Sequence, residues 1–340
     1  VVVRDRTVVG EGFHARFGER HAEIAALEAA GPDAQGATVY VSLEPCAHHG
    51  KTPPCANALI AAGVRRVVIG ARDPNPNAAG GAEVLRKAGI EVVTGVEERR
   101  ALEADPAFFY SFGAERPWIT LKLAVTIDGA IADAAGRSQW ITGGRARSAV
   151  HELRAGHDAI AVGVGTVLSD NPMLTVRDAP APRIAPRRVV FDRRARTPID
   201  SALVRTAREV PVIVVAEKPP APSVRALEGA GVRVDRTSSL YNELEHLKSE
   251  GIRSIFVEGG ARLAGALWER SLVDRLIIFQ GPVVLGAGAQ GAFSFAPETP
   301  IGQAARLAVL ERRAFGDDSM IAYAVHHVPA PRPGPNGSNG

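Results

Sequence analysis

The sequence predicts a two-domain α/β protein, and three observations lead to that fold class. The chain has 340 residues, 46% hydrophobic and 23% charged, which is typical of globular proteins and enough for two ordinary cores. Short strand-like runs alternate with helix-like runs, a pattern that indicates layered βαβ units. The alternation restarts with a new strand after Arg116-Pro117. We therefore expect domains at 1–114 and 115–328, followed by a disordered Pro/Gly-rich tail at 329–340.

The first domain is expected to contain one hairpin and then alternating strands and helices. Residues 1–10 predict the hairpin, because two valine-rich runs flank the polar turn 4–6. Later strands are predicted at 38–43, 66–70 and 90–93, and helices at 21–30, 55–62 and 82–88.

The second domain is expected to alternate in the same way, with one long loop. Strands are predicted at 119–126, 157–163, 187–192, 210–215, 254–257, 275–280 and 319–328, and helices at 146–155, 240–250 and from 261 onward. Residues 164–177 are predicted to be a long loop, and 218–222 a linker. The glycine-rich turn 258–260 would aim free backbone N–H groups at an anion, although tight strand–helix turns need glycine in any case.

Composition and charge argue against several functional classes. The net charge is only +3, and arginines are scattered without a basic block interleaved with aromatic residues, so no nucleic-acid partner is expected. The loose arginine cluster at 183–196 is interpreted as a solvated loop. No apolar run reaches the roughly 18 residues that span a bilayer, so no membrane partner is expected. Two cysteines in a metal-type setting favour a reducing cytoplasm.

The only two cysteines of the chain suggest a metal site. Cys46 and Cys55 follow the predicted strand 38–43, and His21 and Glu23 precede it. One imidazole and two thiolates give zinc three protein ligands and leave the fourth position for water. Zinc lowers the pKa of such a water from about 15.7 toward 7, and Glu23 is placed to move its protons. The composition therefore predicts a catalytic zinc site.

Other interpretations of the same residues remain open. Cys46 and Cys55 could form a disulfide or be two buried thiols, and a closed structural zinc site could take His48 or His49 as its fourth ligand. The arrangement matches the zinc-deaminase signature of His-x-Glu before a strand and Pro-Cys after it. It departs from that signature because eight residues, not two, separate the cysteines.

The segments 10–23 and 45–55 resemble the deaminase half of the bifunctional riboflavin-biosynthesis deaminase–reductases. That resemblance implies a cytidine-deaminase-like three-layer αβα domain, with His21, Cys46 and Cys55 as zinc ligands and Glu23 as proton shuttle. The implied substrate is 2,5-diamino-6-ribosylamino-4(3H)-pyrimidinone 5′-phosphate, which zinc hydroxide would deaminate hydrolytically. The family begins with a helix and a Pro-Asn-Pro loop that this sequence does not contain, so part of the deaminase pocket is expected to be missing.

The loop after the strand 66–70 is a candidate for substrate binding in the first domain. Arg72, Asp73 and Asn75 could hold the phosphate or ribose of the substrate. The alternative is an ordinary turn rich in proline and asparagine.

Segments 122–129, 138–142, 163–177 and 257–260 resemble the reductase half of the same family, which is similar to dihydrofolate reductase and uses NADPH. The implied reaction reduces the ribosyl side chain to ribityl. The residues implied to face NADPH are Ala124, Trp140, Thr166, Asp170, Gly260, Ala261, Arg262, Leu263, Ala264, Gly265 and Ala266. The residues implied to face the substrate are Ser138, Arg154, Leu174, Arg177 and Glu258.

Physical arguments bear on several of these residues. Arg154 and Arg177 suit a phosphate, but Arg154 lies on a predicted helix and is more readily a surface residue. Trp140 could equally belong to the core. Glu258 at a strand end could accept hydrogen bonds from the pyrimidine amino groups, because a buried carboxylate without a partner is costly. The polar groups nearest the implied reduction site are Asp170, Lys122 and Glu258, among which the sequence selects no proton donor.

One departure from the family and two alternative functions complete the sequence predictions. After the strand 187–192 the family has a small polar residue, whereas this chain has Arg193, which could serve a 2′-phosphate. We expect a small-molecule partner, a phosphorylated ribosylaminopyrimidine, and a homo-oligomer. The alternatives are another nucleoside or tRNA deaminase with an accessory domain, and a chain whose deaminase half is inactive beside an active reductase.

Overall fold

The computed structural model describes residues 1–15, 18–48, 53–294, 299–304 and 306–326, so the predicted tail 329–340 lies outside the described residues. The chain divides into two compact units, Val1–Gly113 and Ala114–His327. Among the described residues, no helix is long and apolar enough to cross a membrane.

The first unit is built on a five-stranded sheet with the order β2-β1-β3-β4-β5. Its strands are β1 (Val2–Arg4), β2 (Thr7–Gly10), β3 (Thr38–Leu43), β4 (Arg66–Ala71) and β5 (Glu91–Thr94). Its helices are α1 (Ala22–Ala30), α2 (Cys55–Ala61), α3 (Gly81–Lys87), α4 (Glu98–Ala104) and α5 (Pro106–Ser111). The hairpin β1–β2 is antiparallel, and β3, β4 and β5 run parallel to one another.

Helices cover both faces of this sheet. Alternate residues of β4 such as Val67 and Ile69 pack with Leu59 of α2 and Leu85 of α3 in one apolar cluster. A second, smaller cluster joins the end of β4 to α4 and α5. The unit is therefore a three-layer αβα structure, in which the carboxyl ends of β3 and β4 point to the same edge.

The second unit is built on a nine-stranded sheet with the order β11-β10-β9-β8-β12-β6-β13-β16-β15. Its strands are β6 (Trp118–Val125), β7 (Ala130–Ala132), β8 (Ala159–Gly163), β9 (Arg187–Phe191), β10 (Val212–Ala216), β11 (Arg233–Arg236), β12 (Ser254–Val257), β13 (Arg275–Gln280), β14 (Gln290–Gly291), β15 (Ala308–Phe315) and β16 (Asp318–Ala324). Its helices are α6 (Gly144–Ala155), α7 (Val164–Asp170), α8 (Ala202–Arg205), α9 (Ala221–Gly229), α10 (Leu240–Ser249) and α11 (Ala261–Glu269).

The connectivity of this sheet creates a crevice at its carboxyl edge. From β11 to β13 the strands are parallel, whereas β16 and β15 are antiparallel additions. The chain runs outward from β8 through β9 and β10 to β11, then returns to insert β12 between β8 and β6. Open α/β sheets bind ligands where the strand order reverses in this way. The loops that follow β6, β8 and β12 therefore surround the expected binding crevice.

Several sequence predictions of secondary structure are wrong. Residues 164–177 are not one long loop, because α7 occupies Val164–Asp170. Gly165 and Thr166 have low helix propensity, so the sequence does not indicate a helix here. Burial of Val164 and Val167 on one face stabilises the helix. The predicted linker 218–222 runs into α9, which starts at Ala221. The helices α4, α5 and α8 and the strand β15 were not predicted.

Candidate active sites

The first candidate site brings together the three predicted metal ligands. His21 Nδ1 lies 3.2 Å from Cys55 Sγ and 3.7 Å from Cys46 Sγ. A zinc ion bound at about 2.3 Å from sulfur and about 2.1 Å from nitrogen holds such tetrahedral ligand pairs about 3.6 Å apart. Both cysteines are free, so the disulfide alternative is wrong. In donor type and spacing, the residues fit a zinc ion with three protein ligands.

Three elements position these ligands. His21 is the extended residue that precedes α1, Cys46 follows β3 through Pro45, and Cys55 is the first residue of α2. The backbone N–H of Cys55 donates to Cys46 Sγ at 3.3 Å. A thiolate accepts such a bond well at a helix N-terminus, where the dipole is positive. Cys55 therefore lies at the start of this helix, as the sequence predicts, and its role as a metal ligand remains a prediction.

The pKa values of the two thiols are shifted in opposite directions. Hydrogen bonding from Cys55 lowers the pKa of Cys46 to about 5, whereas the same contact, with burial, raises the pKa of Cys55. A bound cation would favour the ionised form of both sulfurs, because thiolates are the form that ligates metals.

The remaining predicted residues near this site are Glu23 and the two histidines. Glu23 lies on α1 and is buried, and burial raises the pKa of its carboxyl. A raised pKa moves a carboxyl toward the range in which it both accepts and releases a proton, as a proton shuttle must. Among the described residues the candidate metal cluster consists of His21, Cys46 and Cys55 alone; His48 does not join it, and His49 lies outside the described residues.

A buried carboxylate that the sequence analysis did not select holds the neighbouring loop in place. Glu44 is 6% exposed, and its two oxygens accept the backbone N–H groups of Asp73, Gly80 and Ala82 at 3.2, 3.2 and 3.0 Å. Any side chain at Gly81 would place its Cβ 1.7 Å from the carbonyl oxygen of Pro45. These contacts fix the loop 71–80 beside the segment that carries Cys46.

The loop 71–80 itself is ordered by its own polar side chains. Asp73 Oδ1 accepts the N–H of Asn75 at 2.8 Å, and Asn75 Oδ1 accepts the N–H of Asn77 at 3.1 Å. Burial raises the pKa of Asp73. The turn rich in proline and asparagine is held by Asx-type hydrogen bonds, while a contact of Arg72, Asp73 or Asn75 with substrate remains a prediction.

The second candidate site centres on Glu258, the residue after β12. Arg154 Nε lies 2.5 Å from Glu258 Oε1, and Lys122 Nζ lies 3.9 Å from Glu258 Oε2. Burial raises the pKa of Glu258, but the charges of Arg154 and Lys122 outweigh burial, and its pKa falls below the ordinary value. Burial also lowers the pKa of Lys122. The group is a compact triad of one anion between two cations.

The surface alternative for Arg154 is wrong. Its side chain is only 12% exposed, and besides Glu258 it donates to the carbonyl oxygen of Thr175 at 2.9 Å. Because two of its three guanidinium nitrogens have protein partners, Arg154 is not free to clamp a phosphate with two parallel bonds. Arg177, by contrast, is exposed.

The loop that carries Arg177 is tied to α6 by a histidine that sequence reasoning missed. His151 Nδ1 accepts the backbone N–H of Arg177 at 3.1 Å. Burial, with the charges of Arg154 and Arg177, lowers the pKa of His151, which keeps the ring neutral and able to accept. Leu174 in the same loop is 3% exposed and packs in an apolar cluster, so only its backbone can reach a ligand.

The glycine-rich turn after Glu258 opens α11, as predicted. Gly260 precedes the helix in extended conformation with no side-chain cap, and the N–H groups of Leu263 and Ala264 bond to its carbonyl. The first turn thus leaves the N–H groups of Ala261 and Arg262 as the ones that point outward. A Cβ on Gly260 would lie 4.0 Å from Thr166 Oγ1, so the turn and α7 face one another.

The other predicted cofactor residues fall in different environments. Trp140 is 67% exposed with the Arg147 guanidinium 4.4 Å from its ring centroid, so the core alternative for Trp140 is wrong. Ala264 and Gly265 are buried within α11. Four further positions are half-buried: Ala124 on β6, Ser138 in the loop after β7, and Thr166 and Asp170 on α7. Arg193 is paired with Glu217, its Nε 2.7 Å from a carboxylate oxygen.

Comparison with known proteins identifies the family. Residues 117–320 match the RibD C-terminal domain, and residues 1–71 match the cytidine and deoxycytidylate deaminase zinc-binding region. The chain is 43% identical over 290 residues to the riboflavin biosynthesis protein RibD of Aquifex aeolicus, which covers 85% of this chain and 81% of that protein. The chain belongs to the RibD family.

Solved RibD structures are similar to this chain over most of its length. Acinetobacter baumannii RibD is 37% identical with a TM-score of 0.80, covering 95% of this chain and 90% of that one. The Thermotoga maritima diaminohydroxyphosphoribosylaminopyrimidine deaminase/5-amino-6-(5-phosphoribosylamino)uracil reductase is 34% identical with a TM-score of 0.79 and the same coverage. This RibD chain is therefore an enzyme of riboflavin biosynthesis with a zinc-binding deaminase domain and a reductase domain, and the predicted fold class is confirmed.

Proposed function

We propose that this chain deaminates 2,5-diamino-6-ribosylamino-4(3H)-pyrimidinone 5′-phosphate and then reduces the ribosyl side chain of the product with NADPH. The observation that carries the first step is the donor set His21, Cys46 and Cys55 beside the buried carboxyl of Glu23. The second step is supported by the Lys122–Glu258–Arg154 triad at the switch point of the second sheet.

In the deaminase site the protein supplies ligands and moves protons. These three residues would hold a zinc ion, which when bound would supply a water with its pKa lowered to about 7. Glu23 takes the proton of the attacking water and delivers it to the departing nitrogen, and its raised pKa suits both transfers. The loop fixed by Glu44 presents Arg72, Asp73 and Asn75, to which we assign contacts with the ribose or phosphate of the substrate.

The Glu23→Gln variant tests this half. It should retain zinc, because the ligands are unchanged, and should lose ammonia release by about 10²–10⁴-fold. Reduction of the separately supplied deaminated substrate should continue, which shows that the variant is folded. Full ammonia release by the variant would refute the assignment.

In the reductase site the chain offers one place for phosphates and another for the reacting sugar. NADPH, when bound, supplies the hydride. The pyrophosphate would lie at the first turn of α11, against the N–H groups of Ala261 and Arg262. We assign the further cofactor contacts to Trp140, Ala124, Thr166 and Asp170, along with the backbone from Gly260 to Ala266.

The substrate would lie between Glu258 and the loop 171–177. We assign its phosphate to Arg177, the exposed arginine of that loop, and its pyrimidine to Ser138 and Glu258. Arg154 acts by keeping Glu258 ionised, and Leu174 by its backbone. Reduction adds a hydride to the anomeric carbon and a proton to the ring oxygen as their bond breaks. We assign donation of that proton to Lys122, whose Nζ lies 3.9 Å from the carboxylate of Glu258, a group that its lowered pKa keeps ionised.

The reductase half is tested by supplying the deaminated substrate with NADPH and following absorbance at the nicotinamide band. The expected result is oxidation of one NADPH per ribityl product. Absence of oxidation in a sample that still releases ammonia from the diamino substrate would refute this half alone.

A further inference from the structure

Arg188 is an arginine in the interior of the second unit. It lies on β9 and is 0% exposed, among the largest fully buried side chains of the described residues. Its strand neighbours in the sheet are Ile160 and Val212, both members of the apolar cluster that also contains Leu174 and Leu203. The sequence interpretation of the arginines at 183–196 as a solvated loop is wrong at this position. A buried cation is costly, so its retention needs a reason.

Among the ion pairs of the described residues, none involves Arg188. The charge of Glu209 acts on Arg188 without forming an ion pair and raises its pKa. Its partners are neutral oxygens: Thr206 Oγ1 at 2.7 Å, the Thr206 carbonyl at 2.9 Å, the Met173 carbonyl at 3.2 Å and the Val210 carbonyl. Burial lowers the pKa of Arg188 to about 10, so the guanidinium remains charged at neutral pH.

The Met173 carbonyl connects Arg188 to the loop 171–177. The peptide after it belongs to Leu174, which adopts the left-handed conformation with φ +49°, and Asn171 has φ +42°. Non-glycine residues hold this conformation only where their surroundings impose it. The other end of the loop is held by His151 through the N–H of Arg177, as described above. Arg188 therefore connects the loop, through the Met173 carbonyl, to Thr206 at the end of α8.

We propose that Arg188 is a positioning residue of the reductase, which holds the loop 171–177 in the shape that presents Arg177 to the phosphate of the substrate. It therefore sets the preference for phosphorylated over dephosphorylated substrate. A planar guanidinium bridges acceptors on Met173, Thr206 and Val210 at once, which an apolar side chain or a lysine cannot do. The inference rests on the proposed binding of phosphate by Arg177.

The test compares the kinetics of Arg188→Lys with those of the parent enzyme on the deaminated substrate with and without its 5′-phosphate. We expect KM for the phosphorylated substrate to rise about tenfold or more, as loss of a well-placed phosphate contact requires. KM for the dephosphorylated substrate, KM for NADPH and kcat should stay within about twofold. The matched control is Arg187→Lys, since Arg187 is the neighbouring strand residue with a partly exposed side chain paired with Glu250.

Two further variants, Thr206→Val and Arg177→Met, separate a failure of the Arg188 inference from a failure of the proposed phosphate site. If Arg188→Lys does not fold, Thr206→Val, which removes one acceptor, should show a smaller rise confined to the phosphorylated substrate. In whichever of Arg188→Lys and Thr206→Val is folded, an equal change of KM for both substrates, or no change of KM, would overturn the inference. Arg177→Met is measured in parallel: if it also leaves the preference for phosphate unchanged, the proposed phosphate site fails, whereas an effect of Arg177→Met alone rejects only the role of Arg188.

Discussion

Arg154 and Glu258 are 104 positions apart in the chain, yet their side chains form a buried ion pair with Nε 2.5 Å from Oε1. The pair joins α6 to the carboxyl end of β12, where the sheet order reverses. It also faces Lys122, so a single carboxylate balances two cations. This arrangement keeps the Glu258 carboxylate ionised before any ligand binds.

Neutralising that carboxylate should disable reduction and spare deamination. In Glu258→Gln, Arg154 and Lys122 lose their common partner, and the pKa of Lys122, already lowered by burial, falls further because Glu258 no longer raises it. We expect kcat/KM for NADPH oxidation to fall by about 10²-fold or more, because Lys122, the assigned proton donor, loses the carboxylate that favours its charged form. The control is Glu269→Gln, an exposed glutamate on α11. Equal losses in the two variants would contradict the assignment.

Removing one sulfur should remove the metal. Cys55→Ser replaces a ligand that lies 3.2 Å from His21 Nδ1, and oxygen is a much poorer partner for zinc at this site. Elemental analysis should give close to one zinc per chain for the parent and far less for the variant. Ammonia release should fall with the zinc content, while reduction of the deaminated substrate continues. A variant that keeps its zinc would show that these three residues are not the ligand set.

Glu44 should matter for the deaminase although it is not one of its ligands. In Glu44→Gln the carboxylate that accepts three backbone N–H groups becomes an amide with only one acceptor oxygen. We expect about 1–3 kcal/mol of destabilisation of the first unit, the usual cost of an unsatisfied buried donor, and a higher KM for the diamino substrate. Glu83→Gln, an exposed glutamate on α3, is the control. Unfolding by urea with an unchanged midpoint would contradict this prediction.

Stability should depend on pH through His157. Burial lowers the pKa of this histidine to about 4, and its ring bonds to the Leu153 carbonyl and to Thr120 Oγ1. The unfolded chain binds the proton near pH 6.5, so stability present above that pH is lost as pH falls from about 6.5 toward 4. The Tm advantage of the parent over His157→Asn should therefore shrink across that window. An advantage that is constant with pH would show that His157 does not titrate in this way.

The sequence predicts the parts of each site that lie close together along the chain. His21, Glu23, Cys46 and Cys55 fall within one segment whose strand and helix could be placed from periodicity and from the proline before each cysteine. The turn after β12 is predicted in the same way, from two consecutive glycines between a strand-like and a helix-like run.

What the sequence does not predict depends on contacts between distant segments. Nothing around Arg154, His151 or Arg188 distinguishes them from surface residues of a helix and an edge strand, since their partners lie in other elements. The helix α7 is missed for the same reason: its residues have weak helix propensity, and burial of Val164 and Val167 stabilises it. Tertiary packing decides these positions.

The most direct measurement is an incubation of the zinc-loaded enzyme with the diamino substrate, first without and then with NADPH, following ammonia and nicotinamide absorbance together. Ammonia should appear without NADPH, and added NADPH should then be oxidised in an amount equal to the ammonia already released. NADPH oxidation without ammonia, or ammonia release that is unchanged in Glu23→Gln, would contradict the two-site account.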